Sequence, residues 1–212
     1  MQGRCSKEKP TDGKFSRRGF LKGTSLGVAA GTMLGSARAE IREQAGLPQA
    51  RLLKAAAEHK VTFSLNGAKT AATVRTGHTL LETLRDQLEM TGTKLVCDHG
   101  TCGACTVLLD GEPVNSCLTL ACDADGRAVE TVEGLAQDGK LSPIQEAFAK
   151  EDALQCGFCT PGMVMSCTAL LRANKNPSRE ETQQALCGNI CRCGTYINIF
   201  RAVDSAVKAG GK

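Results

Sequence analysis

Apolar and polar residues alternate over Val61-Thr62-Phe63-Ser64-Leu65, the period of a strand with one buried face. Asn66-Gly67 follows, a pair suited to a tight hairpin turn, and Lys69 to Val74 reads as the returning strand. The period then lengthens. Leu80, Leu81, Leu84 and Leu88 recur at helical spacing, which predicts a short amphipathic helix over 79–88. Thr106 to Leu109 and Pro113 to Leu120 flank Asp110-Gly111 as a second hairpin, and Ala128 to Val132 is a further strand. Strands wrapped on one helix predict a compact α+β domain over 60–134.

The second half changes character. Ser142-Pro143 is an N-cap followed by proline at the first helical position, leading into Ile144 to Lys150. Pro161 opens a helix through Val164, Cys167, Leu170 and Leu171. Ser178, with Glu181 three residues on, has the form of a capping box, and a last helix runs from about Tyr196 to Lys208. A small helical domain is expected over 135–212. Residues 40–59 read as a leader with a loop and a short helix.

Charge changes the picture at the N-terminus. The net charge is +4, yet residues 1–39 carry eight Lys or Arg against two Asp or Glu. The remaining 173 residues hold 18 basic and 20 acidic side chains, so nothing electrostatic in the body argues for nucleic acid. The first 39 residues have the order of a twin-arginine export signal. Arg17-Arg18 is followed by a weakly apolar stretch, Gly23 to Gly35, and by Ala37-Arg38-Ala39, a small-x-small exit site. The apolar run is too short for an ordinary spanning helix, which needs about 20 residues, so no permanent membrane span is expected. Such a route exports folded proteins. A cofactor inserted beforehand would travel with the chain to the bacterial periplasm.

Cysteine is the compositional outlier, at 12 residues. Cys97, Cys102 and Cys105 stand as C-x4-C-x2-C, and Cys117 follows after eleven residues. This is the spacing of a plant-type [2Fe–2S] site, with three thiolates from one glycine-bearing loop and the fourth from a neighbouring strand. Disulfides, zinc and buried free thiols compete with that reading. A C-x2-C pair is cramped for structural bridging, zinc prefers two C-x2-C knuckles, and inert thiols have no reason to cluster. His99 reads as a surface loop residue, and His59 and His78 as solvated or loop residues.

Cys156-Gly157-Phe158-Cys159 gives a second C-x2-C at a helix start, and Cys191-Arg192-Cys193 gives C-x-C before the last helix. Helix N-termini favour negatively charged ligands. Alone, this pattern leaves zinc a fair rival; beside the first constellation it points to a second cluster. Cys5 should leave with the signal, and Cys122 (at a strand end), Cys167 and Cys187 are expected to pack as small hydrophobes.

The runs Thr93-Lys94-Leu95-Val96-Cys97 through Cys105-Thr106-Val107, Gln155 through Gly162, and Gly188-Asn189-Ile190-Cys191-Arg192-Cys193 resemble the small iron–sulfur subunit of the xanthine oxidase family of molybdenum hydroxylases. The likeness spans about residues 60–208, and the export signal puts it nearest the periplasmic aldehyde-oxidising branch. It implies a β-grasp, ferredoxin-like domain followed by a four-helix domain. It also implies a large partner subunit with a molybdenum–pterin cofactor, and a flavin (FAD) subunit or another acceptor. By motif, Gln155 and Cys193 would contact the pterin. The C-terminal cluster would lie nearest molybdenum and the N-terminal one would face the acceptor.

Two departures stand out. Val96 replaces a common glycine, and Cys193-Gly194-Thr195-Tyr196 inverts the commoner Thr-Gly order. The inverted order is similar to the isoquinoline-oxidoreductase branch and the periplasmic aldehyde enzymes, many of which use acceptors other than NAD. The expected role is an electron relay without catalytic residues of its own, in an aldehyde oxidoreductase. The alternatives are the same relay in an N-heterocycle hydroxylase feeding a c-type cytochrome, a free-standing ferredoxin-like carrier, and a structural zinc protein.

Overall fold

A computed structural model describes residues 57–210 of the 212. The twin-arginine segment, Cys5 and nearly all of the 40–59 leader lie outside the described residues. The N-terminal half is built on two hairpins. β1 (Glu58–Leu65) and β2 (Ala68–Arg75) pair antiparallel from Glu58↔Arg75 to Leu65↔Ala68. Asn66 and Gly67 make the turn at φ 51° and 86°, the left-handed pair that the Asn-Gly signal predicts. β3 (Thr106–Leu109) and β4 (Glu112–Asn115) form the second hairpin. β5 (Ala128–Glu130) enters between them, parallel to β1 and antiparallel to β3, and completes a five-stranded sheet of order β2-β1-β5-β3-β4.

The helix α1 starts at Leu80–Glu82, capped by Thr79, whose hydroxyl accepts from the Glu82 N–H while Glu82 accepts from the Thr79 N–H. From Thr83 to Gln87 it widens to a π turn, where the expected helix over 79–88 would have stayed regular. The Thr83 hydroxyl donates back to the Thr79 carbonyl at 3.0 Å, a contact that loosens α-helical pairing. Leu80 and Leu84 still reach the sheet and pack with Val61, Phe63, Val74, Val107 and Val129.

Two strand expectations run too long. The strand expected over Pro113–Leu120 stops at Asn115, whose carbonyl accepts from the Leu118 N–H and the Thr119 hydroxyl and turns the chain. Cys117 therefore comes from a turn and not from a strand. The strand expected over 128–132 stops at Glu130, because Asn66 takes the Thr131 N–H and donates to its hydroxyl, after which Val132–Leu135 is a 3-10 turn.

Four helices form the rest: α2 (Pro143–Lys150), α3 (Thr160–Ala173), α4 (Arg179–Ala185) and α5 (Tyr196–Gly210). The Ser178–Glu181 capping box opens α4, as the spacing predicts. Ile144, Phe148, Met163, Val164, Cys167, Ile199 and Val203 share the helical core. The Arg179 guanidinium lies 3.5 Å over the Phe200 ring and ties α4 to α5. Among the described residues no helix is long and apolar enough to cross a membrane.

Of the three cysteines expected in the core, Cys167 is fully buried and Cys122 packs partly against the sheet core. Cys122 lies in the 3-10 turn Ala121–Ala124, not at a strand end. Cys187 is exposed, a correction with a plain cause: it sits in the turn between Leu186, which takes the buried place, and Gly188.

α3 lies along β3, and a bidentate pair closes the far end of that contact. Arg172 Nη1 and Nη2 donate to Glu130 Oε1 and Oε2 at 2.9 and 2.8 Å. The Arg172 hydrogen bonds hold the Glu130 carboxyl below its ordinary value. A carboxyl lowered on folding stabilises the fold above its unfolded pKa, and the contribution fades as pH falls through the folded value. Glu130→Gln is therefore expected to lower the melting temperature at neutral pH by the equivalent of about 0.5–1 kcal/mol. The gap between wild type and variant should close as pH drops below 4.5, as followed by thermal melts across pH.

Candidate iron–sulfur centres

The loop from Cys97 to Cys105 is folded by its own short-range bonds. Asp98, Gly100 and Gly103 take φ of 58°, 68° and 66°, winding the chain so that its N–H groups point inward. The His99 N–H lies 3.4 Å from Cys97 Sγ, and the Ala104 and Gly100 N–H groups donate to Cys102 and Cys117. Asn115 donates to the Gly100 carbonyl at 3.1 Å, and the Ser116 hydroxyl to that of Cys105 at 2.7 Å, fixing the turn that carries Cys117 against the loop. Leu81 of α1 backs Cys105 and Cys117 from the core side.

The four thiols meet as two pairs. Cys97 is hydrogen-bonded to Cys102 and Cys105 to Cys117, with Cys117 also within electrostatic reach of Cys97. The second set behaves alike. Cys156 pairs with Cys193 and Cys159 with Cys191, with further repulsion among the members of the set. Cys159 is the N-cap of α3, and Cys191 lies buried behind it. The Thr195 hydroxyl sits 3.2 Å from Cys191 Sγ. Among the described residues no three His, Cys, Asp or Glu side chains close around a single-ion position, and no disulfide forms. A [2Fe–2S] cluster needs two thiolates on each of two irons, and paired thiols answer that need.

The electrostatics of the pairs are uneven. Hydrogen bonds from the Thr101 hydroxyl and then the His99 N–H hold Cys97 down at about 5, while burial pushes its partner Cys102 up. Burial opposes ionisation of Cys191, but the Thr195 hydroxyl and N–H outweigh it and bring the thiol to about 7. Burial, and then the bond to Cys191, pushes Cys159 up to about 12. Cys117 reaches about 12 by burial and by its bond to Cys105. Metal ligation needs the thiols deprotonated, so binding a cluster would release the protons they carry. The Thr160 hydroxyl, one residue past Cys159, is buried with no hydrogen-bond partner among the described residues. The sulfur of a bound cluster is an acceptor that would satisfy such a donor. Donor set, inward N–H groups and orphaned hydroxyl all fit the group.

The expected ligand residues thus fall into two sets of four, and His99 is exposed in its loop. Gln155 is exposed beside the exposed Cys156 and Cys193. Exposed apolar side chains flank the ligands of both sets: Leu95, Val96 and Leu118 around the first, and Leu154, Phe158, Ile190 and Ile197 around the second, with Phe158 at 57% and Ile197 at 62%. Sequence reasoning missed Thr101, Thr195, Asn189 and Tyr196. The Tyr196 hydroxyl accepts from the Cys191 N–H at 2.8 Å and donates to the Asn189 carbonyl at 3.1 Å. Asn189, Thr195 and Tyr196 stand in the quoted motif runs, and the only tyrosine of the chain, three residues past the last ligand, was a further signal.

The two ligand loops touch. The Ile190 N–H donates to the Cys102 carbonyl at 2.9 Å, so one hydrogen bond joins a residue of the first set to the neighbour of Cys191 in the second. α3 comes in over the same point. A Cβ on Gly162 would run into the Gly103 carbonyl oxygen, and one on Gly103 into the Gly188 carbonyl and Asn189. These two glycines are what lets the halves close.

Residues 63–136 match a 2Fe-2S iron-sulfur cluster binding domain model, and residues 131–204 match a [2Fe-2S] binding domain model. The nicotine 6-hydroxylase small subunit of Paenarthrobacter nicotinovorans is 51% identical over 72% of this chain and 93% of its own length. The aldehyde oxidoreductase iron-sulfur-binding subunit PaoA of Escherichia coli is 36% identical over 96% of this chain and 93% of its own. The crystal structure of quinoline 2-oxidoreductase from Pseudomonas putida 86 contains a chain 43% identical, with a TM-score of 0.70, covering 72% of this chain and 95% of that one.

Gly162→Ala is expected to destabilise the fold by about 1–3 kcal/mol through overpacking against a backbone that cannot swing away. Chemical denaturation of the full chain checks this, with Gly188→Ala, whose Cβ meets nothing, as the neutral control.

Proposed function

Because this chain belongs to the small iron–sulfur subunits of the xanthine oxidase family of molybdenum hydroxylases, we propose that it is the two-cluster electron relay of a periplasmic, aldehyde-oxidising member. It is an electron-transfer subunit of an oxidoreductase. The observation that carries the two-cluster reading is the pair of four-thiol sets joined by the Cys102–Ile190 hydrogen bond.

A [2Fe–2S] cluster, when bound, takes up and releases electrons singly. Cys97, Cys102, Cys105 and Cys117 would hold one, and Cys156, Cys159, Cys191 and Cys193 the other. The inward N–H groups and the Thr101 and Thr195 hydroxyls hold the thiolate charge in place. The chain brings no substrate-binding residues of its own to this role. A large molybdenum–pterin subunit would dock over the apolar rim of Leu154, Phe158, Ile190 and Ile197, with Gln155 and Cys193 facing the pterin. An acceptor subunit carrying FAD, or a c-type cytochrome, would take the rim of Leu95, Val96 and Leu118. Apolar side chains gathered around redox ligands fit surfaces that another subunit covers.

The aldehyde assignment is supported by the match to PaoA, which extends over 96% of this chain and so includes the leader, where the nicotine 6-hydroxylase subunit matches 72%. The higher identity to that subunit, and to the quinoline 2-oxidoreductase chain, favours an N-heterocycle as the second reading. Turnover of an aromatic aldehyde against a pyridine or quinoline by the purified complex separates the two.

The native complex is expected to carry about four irons per copy of this chain and two distinct S = 1/2 EPR signals after dithionite reduction. Cys97→Ser should remove one signal and Cys159→Ser the other; a single signal lost to both would sink the two-cluster reading. Arg17→Lys with Arg18→Lys should leave the folded, cluster-bearing chain in the cytoplasm, as read by cell fractionation.

A further inference from the structure

The Asn189 side chain is 5% exposed, and its polar atoms are engaged by three separate pieces of the fold. Its Nδ2 donates to the Gly103 carbonyl at 2.9 Å and lies 3.3 Å from Thr106 Oγ1, while Oδ1 accepts from the Ser166 hydroxyl at 2.8 Å. Gly103 belongs to the first ligand loop, Thr106 begins β3, and Ser166 lies on α3, the helix that Cys159 caps. Asn189 itself precedes Ile190, whose N–H reaches the Cys102 carbonyl. On the other side, the Asn189 carbonyl is held by the Tyr196 hydroxyl. The peptide unit between Asn189 and Ile190 is therefore gripped at both ends, at the point where the two ligand loops meet.

We propose that Asn189 is a positioning residue for electron transfer between the two thiol sets: its buried carboxamide keeps the Cys102–Ile190 hydrogen bond short and in line. This rests on the two-cluster reading above. Each transfer moves one electron from the site held by Cys156, Cys159, Cys191 and Cys193 to that held by Cys97, Cys102, Cys105 and Cys117. The first is oxidised and the second reduced by one electron, and no bond or proton changes place. Electronic coupling falls steeply across a gap between groups that do not touch. A hydrogen bond spans the gap here, and Ile190 leads directly by the chain to Cys191. Within the first loop the Gly103 carbonyl is braced only from its own side, by the Thr106 hydroxyl at 2.7 Å and the Thr106 N–H at 3.2 Å, and Gly103 has no side chain to reach the second loop. Asn189 supplies from the facing loop the bonds that a side chain at Gly103 has no room to make.

The test uses the full chain purified with its co-expressed partner subunits, in wild type, Asn189→Leu, Asn189→Asp and Ser166→Ala. Asn189→Leu keeps the branched shape and removes every side-chain hydrogen bond; Asn189→Asp keeps the acceptor for Ser166 and removes both donated bonds. Iron content and the g values of each EPR signal report loading. Two further readouts report the route: the magnetic splitting between the fully dithionite-reduced sites, and the rate at which an electron redistributes between them in half-reduced protein. Both Asn189 variants should keep iron and g values, with weakened splitting and a several-fold slower redistribution; Ser166→Ala should show a smaller fall in the same direction. Unchanged splitting and rate in loaded Asn189 variants would overturn the proposal and leave Asn189 a packing residue. Where the Asn189 variants fail to load, Ser166→Ala decides in the same way, an unaltered rate counting against the proposal. A wild-type chain with one signal only overturns the two-cluster reading itself, a result told apart from the first by the iron count.

Discussion

Four thiolates cannot share a few ångströms unless something takes up their charge. Neighbouring thiolates repel one another, the more so where burial lowers the local dielectric. Everything local to the two ligand sets answers that constraint. The first loop winds through left-handed residues so that N–H groups face the sulfurs; the second set draws on the start of α3 and on Thr195. Among the buried ligand thiols, Cys117 and Cys159 are pushed furthest up by burial, and each is hydrogen-bonded to a second thiol of its set. A bound metal would take up the thiolate charge and couple its binding to the folding of both loops.

That demand explains the economy of the sheet. β3 and β4 are short and lie between ligands: β3 begins one residue after Cys105 and β4 ends two residues before Cys117. Asn115 ends β4 early and at the same time braces Gly100, so the turn bearing Cys117 is set by the loop it must meet. α1 contributes Leu80 and Leu84 to the sheet core and Leu81 to the back of Cys105 and Cys117.

Much of this was legible in the sequence where the signal is local. Asn66-Gly67 and Asp110-Gly111 fix their turns by backbone conformation, the capping residues Ser142 and Ser178 mark helix starts, and cysteine spacing exposes the first loop. The signals that failed were those decided by distant partners. The end of β5 depends on Asn66, 65 residues away, and the end of β4 on bonds that the strand pattern does not record. Asn189 stood in a signature run with no role assigned to it, because its partner Gly103 lies 86 residues earlier. Cys187 shares its composition with the buried Cys167, and only the turn after Leu186 separates their surroundings.

The close approach of Gly162 and Gly103 has a consequence for modularity. Each half has the outline of a unit that could be inherited alone, a ferredoxin-like sheet and a helical bundle. At Gly162 and Gly103, though, they meet backbone against backbone, with Asn189, braced by Ser166 of its own half, reaching across to Gly103. A sheet half borrowed from a stand-alone ferredoxin would bring a loop never shaped to receive a helix over its glycine. The helical half moved elsewhere would leave the Asn189 Nδ2 without its acceptors Gly103 and Thr106. Such a pair can drift in sequence over its outer faces, but it must be exchanged whole.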